Sequence, residues 1–204
     1  MNGTTLVDTV TDDLETQLSR LGSSKWLYAL TDGDMTGEAV RAAAAADAAA
    51  AAETFDSWDD DSDAFEALAT SAADRRDAID ADATPADRCT DDGLADLDRH
   101  VSRLGGAPGY VLVLDRTLGQ MVGFFVGDAD PSTADQFRDL RTGVDEDRAR
   151  VVDALDDACA TDDACATDDD WDRAAAAATA VVEAAYDDYV ERLESMGVKP
   201  KNVC

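Results

Sequence analysis

Histidine is almost missing from this chain: His100 is the only one in 204 residues. A His-based metal site, a Ser-His-Asp triad and a Cys-His pair would all have to draw on that single imidazole. Asp96 stands four residues before His100, the spacing of a local ion pair on one helix face. Lysine is nearly as scarce, with Lys25, Lys199 and Lys201 as its three occurrences. No glycine-rich phosphate loop is present, because Gly105, Gly106 and Gly109 lack a preceding strand and both the Lys and the dinucleotide spacing. Together these absences remove most nucleotide-dependent and hydrolytic classes. Cys89, Cys159, Cys165 and Cys204 are scattered, and no pair has the close spacing of a zinc or redox site. Cys159 and Cys165 fall in a tandem copy, DDACAT followed by DDACAT, so copying explains their separation. The N-terminus MNGTTLVDTVTDD has neither a basic region nor an apolar signal core, which predicts a cytoplasmic protein with reduced thiols.

Acid is what the chain has in excess. It carries 46 Asp and Glu against 17 Lys and Arg, a formal charge of −29. Most of the acids are Asp and most of the bases Arg. Such a surface reads as adaptation to a salt-rich cytoplasm, because molar salt shortens the Debye length to about 3 Å and screens the repulsion. It also argues against direct nucleic-acid binding, which needs a basic patch to displace counterions.

One long stretch is apolar enough to be the centre of a core: YVLVLDRTLGQMVGFFV, Tyr110 to Val126. As a helix it places Val111, Leu114, Leu118, Met121, Val122 and Phe125 along one stripe, widened by Leu112, Val113 and Phe124 until little polar surface remains. Such a helix is buried all round. The alternative is an α+β fold with a hairpin over 110–126, but the joining DRTLGQ lacks the Asn-Gly or Asp-Gly pair of tight hairpins. A membrane span is not expected, since Asp115, Arg116 and Gln120 interrupt a run already shorter than the roughly 20 residues required.

The remaining elements read as helices of an all-α, antiparallel bundle in a single domain over 1–204. Residues 1–35 form an N-terminal helix and cap, with Leu6, Val10, Leu14, Leu18 and Leu21 at helical spacing up to Gly22, then Trp26, Leu27, Tyr28 and Leu30 across one end. The bundle occupies 36–196. Its first helix starts near Thr36 and runs through an alanine tract to Phe55 or Trp58. Phe65 to Ala81 follows, with Leu68, Ala72 and Ile79 facing inward, and a short connection makes the pair antiparallel. Residues 83–92 read as a loop. Helix resumes at Leu94 and breaks at Gly105, Gly106, Pro108 and Gly109, where Pro108 opens the central helix. After Pro131 a long helix presents Phe137, Leu140, Val144, Val151, Val152 and Leu155. The last helix runs from about Asp168 to Gly197. Residues 197–204 form a tail, the one locally basic place.

The segment AAETFDSWDDDSDAFEALATSAADRRDAI resembles the first half of a ferritin-like, rubrerythrin-type bundle, in which a helix with a Glu ligand precedes one carrying Glu-x-x-His. Glu53 matches the lone Glu, and Asp74 and Asp77 take the Glu-x-x-His positions. SRLGSSKWLYALT and LDRTLGQMVGFFVGDAD are similar to segments of small haloarchaeal proteins grouped with rubrerythrins. In that resemblance Asp115 corresponds to an in-bundle carboxylate and Glu146 to the second ligand helix. The resemblance implies a metal-binding or redox protein holding Fe or Mn. Some proteins of this look are associated with transcription antitermination, which implies a regulator working through a protein partner.

This sequence, however, has no Glu-x-x-His, and Asp reaches one methylene less far from a helix than Glu. The expectation is therefore a non-catalytic bundle that kept its shape and lost its di-iron site, needing no cofactor and acting through an unidentified protein partner or a second copy. The charge of −29 generates a test. In circular dichroism across a KCl series from about 0.05 to 3 M, helicity and thermal midpoint rise together as the Debye length falls. Flat values would show that the acidic surface is not tuned to salt.

Overall fold

The computed structural model describes residues 1–58, 62–81, 93–160 and 167–200. Among them every regular element is a helix. Helix α1 is Gly3–Asp13, α2 Glu15–Leu21, α3 Ser24–Leu30, α4 Gly37–Asp56, α5 Asp63–Ile79, α6 His100–Gly127, α7 Pro131–Ala160 and α8 Asp168–Ser195. The hairpin alternative over 110–126 is thereby excluded: the apolar stretch is the second half of α6.

The chain begins its helices where side chains can accept from free amides. Asn2, Thr36 and Ser62 each cap a first turn in this way, accepting from Thr5, Ala39 and Ala64. At the start of α7 the Asp130 carboxylate accepts from the Thr133 amide at 3.1 Å and its hydroxyl at 2.6 Å. Those hydrogen bonds hold Asp130 below the usual carboxylate range. The end of α8 follows the Schellman pattern. Gly197, at φ +72, lets its own amide reach Glu194 O at 2.9 Å and that of Val198 reach Leu193 O at 2.8 Å. Part of the expected tail is therefore held: Val198 packs against the core, and Lys25 Nζ donates to the Lys199 carbonyl at 2.7 Å. Residues 201–204 lie outside the described residues.

Helix α6 buries Tyr110, Val111, Leu114, Leu118, Met121 and Phe125, each at most 5% exposed, but it is not buried all round, because Arg116, Gly123 and Val126 lie on an exposed stripe of its second half. Helix α4 runs antiparallel to α5: Phe55 meets Phe65 at one end of the pair, and Arg41 donates to Ile79 O at the other. Helices α6 and α7 are likewise antiparallel, with Phe125 against Phe137 and Asp115 against Arg141. By contrast α5 and α6 run the same way. Phe65 lies near His100 at their starts, while Ile79 shares a cavity with Leu114 and Leu118 further along. The connection between them thus joins opposite ends of the bundle. Helix α8 also runs parallel to α6, and α1, α2 and α3 close over α6, α7 and α8. Trp26 fastens α3 by donating to Thr117 Oγ1 on α6 at 2.9 Å.

Three expectations are corrected. First, the cluster Gly105, Gly106, Pro108 and Gly109 lies inside α6, and the helix starts at His100. These glycines serve packing. A Cβ at Gly105 would stand 2.3 Å from the Ala174 carbonyl oxygen, and one at Gly109 would stand 2.5 Å from that of Ala178. Steps of four on both helices bring the α6 and α8 backbones together without side chains between them. Pro108 forfeits one intrahelical hydrogen bond, a cost offset by burial on every side. Second, Asp96 lies in a turn ahead of α6, so it shares no helix with His100, whose ring packs edge-on to Phe65 at 6.3 Å. Third, Cys159 is disulfide-bonded, against the expectation of reduced thiols. Pairing depends on chain reversals that cysteine spacing does not encode. Cys89, Cys165 and Cys204, with the whole of the loop expected at 83–92, lie outside the described residues.

The glycines of α6 separate into two kinds. Gly105→Ala, which presses a methyl into backbone, destabilises by about 1–3 kcal/mol. Gly123→Ala, where nothing lies within 4 Å of the new Cβ, stabilises by up to about 1 kcal/mol. Thermal melts of both variants in molar KCl check the opposite signs.

Candidate functional site

The inward stripe of α5 runs Leu68, Ala72, Arg75, Ile79, so a guanidinium sits where the spacing calls for an apolar side chain. The stripe of α7 runs Val144, Asp147, Val151, with a carboxylate in the same predicament. On α4, Asp47 stands between Ala43, Ala44, Ala48 and Ala51. On α6, Tyr110 opens the apolar stretch. The fold brings these four residues, one from each of four consecutive helices, to the middle of the bundle.

Arg75 is 6% exposed and Asp147 not at all, and Arg75 Nη1 donates to Asp147 Oδ2 at 2.6 Å. The other carboxylate oxygen, Oδ1, accepts from Arg150 Nη1 at 2.8 Å, and Arg150 reaches out to solvent at 42% exposure. Asp147 therefore has a cation on each oxygen. Burial works against the Arg75 charge, but Tyr110 and Asp147 outweigh it and hold the guanidinium above its ordinary range. Burial also pushes the Tyr110 hydroxyl far up, with Arg75 pulling it partly back. That hydroxyl interacts with Arg75 electrostatically without meeting hydrogen-bond geometry, and it has no hydrogen-bond partner among the described residues. Arg75 Nε and Nη2 are likewise unpartnered there. Beside them lies a cavity of about 10 Å³, lined by Asp47, Arg75, Thr117, Leu118 and Met121 among others.

The five carboxylates expected as ligands are placed elsewhere. Glu53 is exposed in a groove of about 420 Å³ between α4 and α5, beside Asp56 and Glu66. Asp74 and Asp77 are exposed on α5, and Asp77 is paired with Arg76 at 2.7 Å. Asp115 accepts from Arg141 at 2.8 Å in a groove of about 430 Å³ between α2 and α6. Glu146 is exposed and pairs with Arg150 at 3.4 Å. Among the described residues no group of three or more His, Cys, Asp or Glu side chains stands close enough to hold a metal ion. The residues aligned by the rubrerythrin resemblance thus do not fit a di-iron centre. The one fully buried acidic side chain among the described residues, Asp147, is not one of those five. Its signal was present in the sequence as an acid on an apolar stripe.

A third groove, of about 450 Å³, lies at the end of the bundle where Gly37, Arg41, Asp80, Asp128 and Asp130 meet over Phe125. It is open, with Glu38 as a further acid on its wall, and its one hydroxyl, Thr133, donates to Asp130 as part of the cap of α7. No helix among the described residues is long and apolar enough to cross a membrane. Compared with known proteins, the chain matches no family model, no curated protein and no solved structure.

The buried pair sets a stability experiment. Asp147→Asn leaves Arg75 charged and enclosed, at a cost of about 3–5 kcal/mol. Replacing both partners, Arg75→Met with Asp147→Leu, costs much less because no charge is then stranded. Urea unfolding in molar KCl measures both. Equal losses in the two variants would show that the ion pair itself, not the stranded charge, carries the energy.

Proposed function

We propose that this is a non-catalytic, salt-adapted helical-bundle protein of ferritin-like build that acts through contact with another protein. The ferritin-like part is supported by the order of the helices. Two antiparallel pairs, α4 with α5 and α6 with α7, follow one another with α5 and α6 parallel, the order of ferritin-like folds with their one long crossover.

One observation carries the non-catalytic part: the carboxylate at the bundle centre is engaged by two guanidinium groups of the same chain. In di-iron bundles the same region offers carboxylates and imidazoles to the metals. Here Arg75 already supplies the positive charge, and the peripheral acids are solvated or paired with Arg. That engagement of the central carboxylate supports a role carried by the protein's surface.

Elemental analysis of protein purified in molar KCl tests this reading. Iron and manganese stay far below one per chain, and added Mn²⁺ or Fe²⁺ leaves the melting temperature unchanged beyond the effect of equal ionic strength. Stoichiometric metal that survives dialysis against a chelator would overturn it in favour of a metal-binding or redox protein.

A further inference from the structure

We propose that the exposed stripe of α6 is the contact face of a two-fold dimer, in which a second copy of the chain lies antiparallel across it and the cationic end of each stripe meets the acidic end of the other. The inference goes beyond the proposed function, because it concerns how two copies meet and holds whether or not the protein binds metal.

The stripe is made differently from the rest of the surface. Residues 116–127 contain no acid, in a chain where 46 of 204 residues are Asp or Glu. Val126 is 54% exposed, and among the described residues it is the one large apolar side chain within a helix that stands so open. Half-buried Gln120 and Phe124 border it. Nothing lies within 4 Å of a Cβ built on Gly123 or Gly127, so the helix backbone is bare there.

Charge is kept to the two ends. At one, Arg116 is exposed and has no ion-pair or hydrogen-bond partner among the described residues, whereas most arginines there hold an acid. Gly22 lies within van der Waals reach of the Arg116 side chain, and Trp26, next to Lys25, donates to Thr117, next to Arg116. Residues 16–31 thus border this end, and they bring Arg20 and Lys25 with no acid. Of the two acids in the groove at this end, Glu15 and Asp115, the second is already held by Arg141. The other end of the stripe runs into the turn that carries exposed Asp128 and Asp130.

A face with one sign at each end is complementary to its own two-fold image. An axis at Gly123 sets Arg116 opposite position 130 of the second copy, Gly119 opposite Gly127, and Val126 opposite Gln120. The bare backbone at the axis lets the two helices approach until both Arg-carboxylate contacts close. Such contact pairs act at short range, while molar salt screens the longer-range repulsion between two chains of −29. A foreign partner with a uniformly acidic face would be opposed by Asp128 and Asp130, which favours the second copy as the occupant.

Sedimentation equilibrium in molar KCl tests the face. The parent protein sediments as a dimer at high micromolar concentration. Gly123→Leu raises helix propensity and so keeps the fold, but leucine is too large for the crossing, and this variant sediments as a monomer. Arg116→Asp and Asp128→Arg each weaken association by about tenfold or more, because like charges then face each other at both ends. Mixing these two variants restores the dimer, since each offers the other an opposite charge at both ends. Circular dichroism confirms that all three remain helical. The proposal is overturned by a monomeric parent, by a dimer that survives Gly123→Leu, or by a mixture of Arg116→Asp and Asp128→Arg no more associated than either alone. Stoichiometric metal in the dimer would sink the proposed function and leave this face standing. A metal-free monomer would do the reverse.

Discussion

Helix α6 has to be covered on every side up to Leu114 and on all but one stripe, that of Arg116, Gly123 and Val126, beyond it, and it imposes that demand on the rest of the chain. Its first half lies flat on α8, backbone against backbone, because Gly105 and Gly109 leave no side chain in the way. Its second half presents large side chains, and α7 packs Phe137 and Val144 against that side. The α4 and α5 hairpin closes the remaining side through Phe55, Phe65 and Trp58, whose rings meet one another and Tyr110. Helices α1 to α3 seal what is left, with Leu6, Leu18, Leu21 and Leu27 almost wholly enclosed.

Charge is distributed by the same logic. Among the described residues nearly all the acid is kept to outer faces, and arginines stand among it as short-range partners three or four residues away: Arg138 with Asp135, Arg173 with Asp170, Arg192 with Asp188. Such exposed pairs contribute little individually. Arg75 and Asp147 are of a different kind. Each is intolerable alone in the interior, and together they define which faces of α5 and α7 meet, since a slip of one position would strand both charges.

Much of this was legible in the sequence. Helix limits near Thr36, Pro131 and Gly197 follow from the residues favoured at helix ends and that near Asp168 from its acidic first turn, and the inward stripes of α5 and α7 follow from their period. Legibility failed where a residue type has two physical meanings. A cluster of Gly and Pro signals a break when the chain is exposed and a close contact when it is buried, and only the partner helix tells which. Asp147 and Arg75 stood on apolar stripes, but the abundance of acid elsewhere hid one misplaced carboxylate, and the resemblance drew attention to Glu53, Asp74, Asp77, Asp115 and Glu146 instead. The parallel course of α5 and α6 was also hidden, because the direction of a helix after a long connection leaves no mark on its own residues.

The position of α6 in the chain order has a consequence for synthesis. The α4 and α5 hairpin leaves the ribosome before the helix that covers it, so Phe55, Phe65 and Leu68 face solvent until more than forty further residues have been made. A half-made core of this sort is an invitation to intermolecular association. The acids of α5, Asp63, Glu66, Asp74 and Asp77, all lie on its exposed face, so the waiting apolar face is backed by strongly hydrated carboxylates until α6 arrives.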